Sequence, residues 1–132
     1  MTSANESLNP EDWKNIARKD WHRIFVLLDD GDADGAAIFI QQSVEKYLKA
    51  FLLQNGWKLR KIHDLVSLLD SAVDFKPALE TFRDLCERVT AYYFVERYPP
   101  FISSDLTVQD IEKDKSEAIQ MIKAMFENEE LS

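Results

Sequence analysis

The sequence predicts an all-α protein, an up-and-down four-helix bundle with an additional short helix. Three observations point there. Apolar residues recur at spacings of three and four through each long segment, the signature of a helix with one buried face. Only three glycines and four prolines interrupt 132 residues, which favours long elements over many turns. No stretch alternates with the two-residue period of a strand. The length fits one domain, residues 1–132, with a core from about 10 to 126. Roughly two-thirds of the unfolded surface can be buried at this size.

The elements follow in order. Asn9 caps a first helix that has Pro10 in its first position and Glu11 and Asp12 in its first turn. Trp13, Ile16, Ala17, Trp21, Ile24, Leu27 and Leu28 carry it to about Asp29. Asp29 to Asp32 reads as a turn around Gly31. A second helix starts near Asp32 or Asp34 and runs to Gln54, with Asn55-Gly56 as its stop. Trp57 to Ile62 is a basic loop, and His63 or Asp64 opens a short third helix through Leu65, Leu68 and Leu69. Lys76-Pro77 begins a fourth helix with Leu79, Phe82, Leu85, Cys86, Val89 and Tyr93 on its core face. Pro99 disfavours helix at Tyr98, so it stops near Arg97. Thr107 and Asp110 form a capping-box pattern for a fifth helix, whose stripe is Ile111, Ala118, Ile122 and Met125. The acidic end, residues 127–132, is expected to fray.

Charge and composition narrow the function. Net charge is −8 and the sequence pI about 4.7. Extended nucleic-acid binding needs clustered Lys and Arg and is not expected; a small phosphate site remains compatible. No apolar run approaches a membrane span, and the first residues lack the basic and apolar regions of a signal peptide, so a cytoplasmic protein is expected. One cysteine and two histidines far apart give no basis for structural zinc, and no cofactor is expected. Cys86 falls beside Phe82, Leu85 and Val89 and reads as a buried small hydrophobe.

The second helix is the most informative segment. Ile40, Val44, Tyr47, Leu48 and Phe51 fall on one face, and Gln42, Glu45, Lys46 and Lys49 follow the same period on the opposite side. The pattern Gln42-x-x-Glu45-Lys46-x-x-Lys49-Ala50, then His63-Asp64-Leu65, then Arg97-Tyr98-Pro99, resembles the HEPN domain family in order and spacing. The resemblance spans roughly Trp13 to Ala124. It implies a helical bundle that dimerises.

In such a bundle the start of the third helix and the end of the fourth are expected to approach the charged face of the second, so that Lys46, His63 and Arg97 converge. Lys46, Lys49, His63, Arg97 and Tyr98 are the expected contacts for a nucleotide or another phosphate-bearing ligand. Arg97 has the rigid donor fork that matches a phosphate, and Tyr98 an aromatic face for a base. Arg97 is also simply a cation at a helix C-terminus, favourable by about 0.3–1 kcal/mol when exposed. Lys58, Arg60, Lys61 and His63 form the densest positive patch; with the amides of the third helix they offer an anion site, or else a solvated loop in which His63 caps that helix. Glu45 and Lys49 make a favourable i,i+4 pair, whose ordinary meaning is a solvated face. Asp20 interrupts the first helix's apolar stripe and either pairs with a second-helix lysine or marks a wider stripe. His22 lies off that stripe, at the surface.

The chain departs from the ribonuclease members of the family. Those carry an Arg followed after four to six residues by a His, and no such spacing occurs here; no histidine follows Arg97. No catalytic residue is therefore assigned, and the chain is closer to the non-nuclease branch. Members of that branch accompany a minimal nucleotidyltransferase as nucleotide binders or partner subunits, in a setting resembling toxin–antitoxin pairs. The alternatives are a ribonuclease toxin in which His63 substitutes in space, and a purely structural helical adaptor.

Three Trp, eight Phe and four Tyr are a heavy aromatic load for one small bundle, and aromatics are favoured at interface cores. A symmetric homodimer is predicted. Light scattering at micromolar concentration should give twice the 15.4 kDa chain mass; a clean monomer refutes it.

Overall fold

Two helices form a tight antiparallel hairpin that organises the rest. α1 runs Pro10–Asp29 and α2 runs Ala33–Gln54. The Asn9 side chain accepts from the Glu11 amide at 3.0 Å, and Asp32 accepts from the Gly35 amide at 2.8 Å. Gly31, at φ 78°, lets the chain reverse between them in a left-handed conformation that a Cβ would strain. Contacts across the hairpin run in opposite directions along the two helices. Arg23 lies over Phe39, Ser43 Oγ donates to the Ala17 carbonyl at 2.9 Å, and Lys49 lies over Trp13. Small residues at Ala17, Ala36, Ala37 and Ser43 allow this close approach.

The computed structural model describes residues 7–97 and 106–132. The expected core position of Tyr93, the Arg97 side chain and Tyr98 lie outside what is described. The other elements are α3 (Leu65–Phe75), α4 (Arg83–Arg97) and α5 (Val108–Met125), with no strand among the described residues. Asp64, not His63, caps α3, accepting from the Val66 amide at 3.0 Å. Thr107 and Asp110 complete the expected capping box. The fourth helix differs at its start: Pro77–Phe82 is a 3₁₀ segment before α4 begins. Pro77 suits the first position of either kind of helix, and Lys76 before it makes no side-chain cap.

The four long helices alternate in direction. Arg88 pairs with Glu117 near the middle of α4 and α5, Tyr92 donates to Asp114 further along, and Lys76 reaches the Ala124 carbonyl from before α4. The short α3 is antiparallel to α4, with the Leu65 amide on Thr90 and Arg83 on Asp70. Residues 55–64 carry the chain back along α2, because the His63 carbonyl accepts from Gln41, near the opposite end from Gln54. Trp57, Leu59 and Ile62 of that return pack on the core, while Lys58, Arg60 and Lys61 face outward.

One hydrophobic cluster joins every helix, with Ile24, Ile40, Leu48, Leu52, Leu68, Leu79 and Met121 wholly enclosed. Cys86 belongs to it, as expected; burial pushes its thiol up to about 12, so almost no thiolate exists at neutral pH. No helix among the described residues is long and apolar enough to cross a membrane.

The acidic end does not fray as expected at Glu129. Its carboxylate is buried, gripped by Arg18 through Nε at 2.7 Å and Nη2 at 2.9 Å, and by the Tyr47 hydroxyl at 2.6 Å. Phe126, just before it, packs on Tyr47 and Phe51 and lies under the Lys14 ammonium. The Arg18 bonds hold the Glu129 carboxyl below its ordinary 4.5. A depressed folded-state pKa stabilises fully above the unfolded value and less as pH falls through the folded one. Glu129→Gln should therefore lower the urea midpoint at about pH 7, and the gap to wild type should shrink by about pH 3.5. A gap that is constant across this range refutes the assignment.

Candidate functional site

α2 is enclosed on nearly every side. From Gln41 to Leu52 only Gln42 and Lys46 retain partial exposure. The expectation of a solvated polar face opposite an apolar one fails here: Gln41 is 0%, Lys49 3% and Glu45 4% exposed. The reason is geometric. α1, α3, α4 and α5 all pack on this helix, so along its middle only the edge at Gln42 and Lys46 is left for water.

Its polar residues are satisfied by one another and by neighbours on α1, at His63 and at Glu129. Lys49 Nζ pairs with Glu45 Oε2 at 3.0 Å, and its ammonium also faces the Trp13 ring at 5.3 Å. Gln41 Nε2 donates to Glu45 Oε1 at 3.0 Å and to the His63 carbonyl at 3.2 Å. Gln42 donates to Gln41 at 3.2 Å and accepts from Lys46 at 2.8 Å. Lys46 pairs with Asp20 of α1 at 3.1 Å, and Arg23 bonds the other Asp20 oxygen at 2.6 Å. Of the two readings of Asp20, pairing with a second-helix lysine is the one observed. His63 Nδ1 lies 3.1 Å from Glu45 Oε2. Against a carboxylate that nitrogen is the donor, so Glu45 fixes both the ring's orientation and its tautomer.

The network therefore runs unbroken from Arg23 and Asp20 through Lys46, Gln42, Gln41 and Glu45 to Lys49 and His63. No buried side-chain nitrogen or oxygen among the described residues lacks a partner. Of the expected contacts, Lys46 and His63 sit at the two partly exposed edges of this network, with side-chain exposures of 13% and 57%. Lys49 is directed inward, against Glu45 and Trp13, where it orients the network instead of meeting solvent. Arg97 ends α4, with its side chain, like Tyr98, outside the described residues.

Two amides at the start of α3 are already bonded within the protein. Leu65 N donates to Thr90 Oγ1 at 3.1 Å, Val66 N to Asp64, and Leu68 N to the Asp64 carbonyl. With these donors committed to the protein, the helix end offers an incoming phosphate little. Lys58, Arg60 and Lys61 remain exposed beside it.

Two groups were not identified from the sequence. Gln41 gave no signal, because a lone glutamine reads as surface. Arg18 and Glu129 meet across 111 positions, which no local pattern encodes. Among the described residues no group of three or more His, Cys, Asp and Glu could hold a metal ion.

An all-α bundle whose central helix carries the Gln-x-x-Glu-Lys-x-x-Lys network, followed by a His-Asp-Leu helix start, defines a class. The chain belongs to the HEPN family: the family model for the HEPN domain matches residues 10–128. Comparison with curated proteins and with solved structures gives no match.

Replacing Asp20 by Ala leaves Lys46 half-buried without its carboxylate. A loss of about 2 kcal/mol is expected in urea unfolding. Asp20→Ala with Lys46→Met should recover part of it, since the uncompensated charge is then gone. A double variant that loses the full sum of the two single effects refutes the coupling.

Proposed function

We propose that this HEPN protein is a binding or accessory subunit, not a stand-alone enzyme, and that it takes a nucleotide or another phosphate-bearing ligand. Lys46 and His63 contribute from the α2 flank, Arg97 clamps a phosphate, and Tyr98 stacks on the base. Lys49 acts through Glu45 as a positioning residue. The observation that carries this reading is the continuous polar network through α2. A scaffold helix at the centre of a bundle is most cheaply built from apolar residues, since every buried charge must overcome its desolvation. Here a row of them is kept and fully paired, and its exposed ends present a cation and an oriented imidazole. The favoured protein partner is a minimal nucleotidyltransferase encoded separately, the favoured assembly a homodimer, and the favoured compartment the cytoplasm.

One contact supports a second reading. His63 is held by Glu45 through Nδ1, the arrangement that orients a general base. A ribonuclease with a non-standard centre would use it. RNA cleavage abolished by both His63→Ala and Arg97→Ala would replace the accessory reading.

Calorimetry with a nucleoside triphosphate tests the main proposal. A charge-assisted contact to phosphate contributes roughly 1.5–3 kcal/mol, so Arg97→Ala should weaken binding by about ten- to a hundredfold. Lys46→Ala should weaken it less, as a point charge without fork geometry. Rising salt should weaken binding in the wild type. No detectable nucleotide binding by the wild type would leave the adaptor reading.

A further inference from the structure

On the outer side of α1, Arg18, Lys19, His22 and Arg23 line a shallow open groove of about 400 Å³. Among the described residues no acidic side chain lines it, although the chain as a whole carries −8. These residues lie on successive turns of one helix, so their heads follow a line instead of meeting at a point.

Arg18 stands where this groove meets a second, polar cleft lined by Glu11, Lys14, Glu127 and Glu129. There it holds an oxyanion already. Its guanidinium fork takes both oxygens of Glu129, and Tyr47, a wholly buried residue of α2, donates its hydroxyl to the same carboxylate. Arg18 also bonds Glu11 at 2.9 Å and Asn15 at 2.8 Å through Nη1, which fixes the fork in place. Burial and the adjoining carboxylate both push the Tyr47 hydroxyl up, so it stays a donor at any ordinary pH. Were Glu129 to leave, Tyr47 would be a buried donor facing a cation, with its acceptor gone. Such a pair requires an oxyanion in that position.

We propose that Arg18 and Tyr47 form an oxyanion seat at the head of the α1 groove, and that a polyphosphate binds there. Its terminal phosphoryl group displaces the Glu129 carboxylate, and its remaining charges lie along Lys19, His22 and Arg23. The segment around Glu129 is thus a built-in competitor: an acidic stretch of the same chain that keeps the seat filled until a more highly charged anion arrives. Because the competitor is tethered, it acts at an effective concentration in the millimolar range, and only a multivalent anion outcompetes it. This site meets the network of Lys46 and His63 only at Arg23, which also bonds Asp20; Lys46→Ala leaves the seat of Arg18 and Tyr47 intact.

Inorganic tripolyphosphate is the probe, titrated by calorimetry at fixed ionic strength. Glu129→Gln removes the competing charge and should bind about tenfold more tightly than wild type. Arg18→Ala in the Glu129→Gln background should lose that gain, as should Lys19→Ala with His22→Ala, two exposed positions whose change leaves the core untouched. Circular dichroism of each variant checks that the helices persist. If Glu129→Gln does not fold, the surface double variant in the wild-type chain still decides: it should weaken tripolyphosphate binding at least fivefold. Equal affinities for wild type and folded Glu129→Gln overturn the proposal. So does binding that the groove substitutions leave unchanged.

Discussion

The enclosure of α2 is the constraint on which the rest of the structure depends. A helix packed by four others cannot expose its polar residues, and an unpaired buried charge is too costly to keep. Several polar groups on α2 therefore dictate residues elsewhere. Lys46 requires the Asp20 carboxylate on α1. Gln41 requires a carbonyl, met when residues 55–64 return along the helix to bring His63 alongside. Tyr47 requires an acceptor, met by Glu129 from the end of the chain. The path of the backbone outside α2 follows from these demands as much as from apolar packing.

The same demand shapes the proposed chemistry. A fully satisfied buried network is rigid, because moving one member breaks the bonds of several. His63 is consequently held by a carboxylate that is itself held by Lys49 and Gln41. Lys46 is held between Asp20 and Gln42. Side chains fixed in this way meet a ligand with little further loss of conformational freedom, which is where preorganised sites gain affinity. The family's sequence pattern on this helix thus reads physically as a scaffold, with its two ends, not its middle, in a position to meet other molecules.

The helices were legible in the sequence because their end signals are local. Asn9, Asp32, Asp64 and Thr107 each make the cap bond expected of such residues at a helix start. Pro77 misled, since a proline after a loop predicts a helix start without saying which helical pitch follows. The candidate site was legible only in part. Periodicity assigns polar residues to a wet face, and α2 keeps along its middle only the edge at Gln42 and Lys46, so Lys49 and Glu45 read as surface. Asp20 did announce itself, as a carboxylate inside an apolar stripe. Glu129 could not, because its meaning lies in a partner more than a hundred positions away.

That distance has a consequence for how the chain is made. The α1–α2 hairpin is built from neighbours in sequence and can close as soon as both helices have emerged from the ribosome. Arg18 and Tyr47 are then already in place, yet the carboxylate that completes them lies 111 and 82 positions further along the chain. Until those residues arrive, the hairpin carries an open cationic notch and uncovered faces of Tyr47 and Phe51, which Glu129 and Phe126 then cover. Phe126 and Glu129 act as a closing stitch over the hairpin, tying a distant part of the chain to both of its helices.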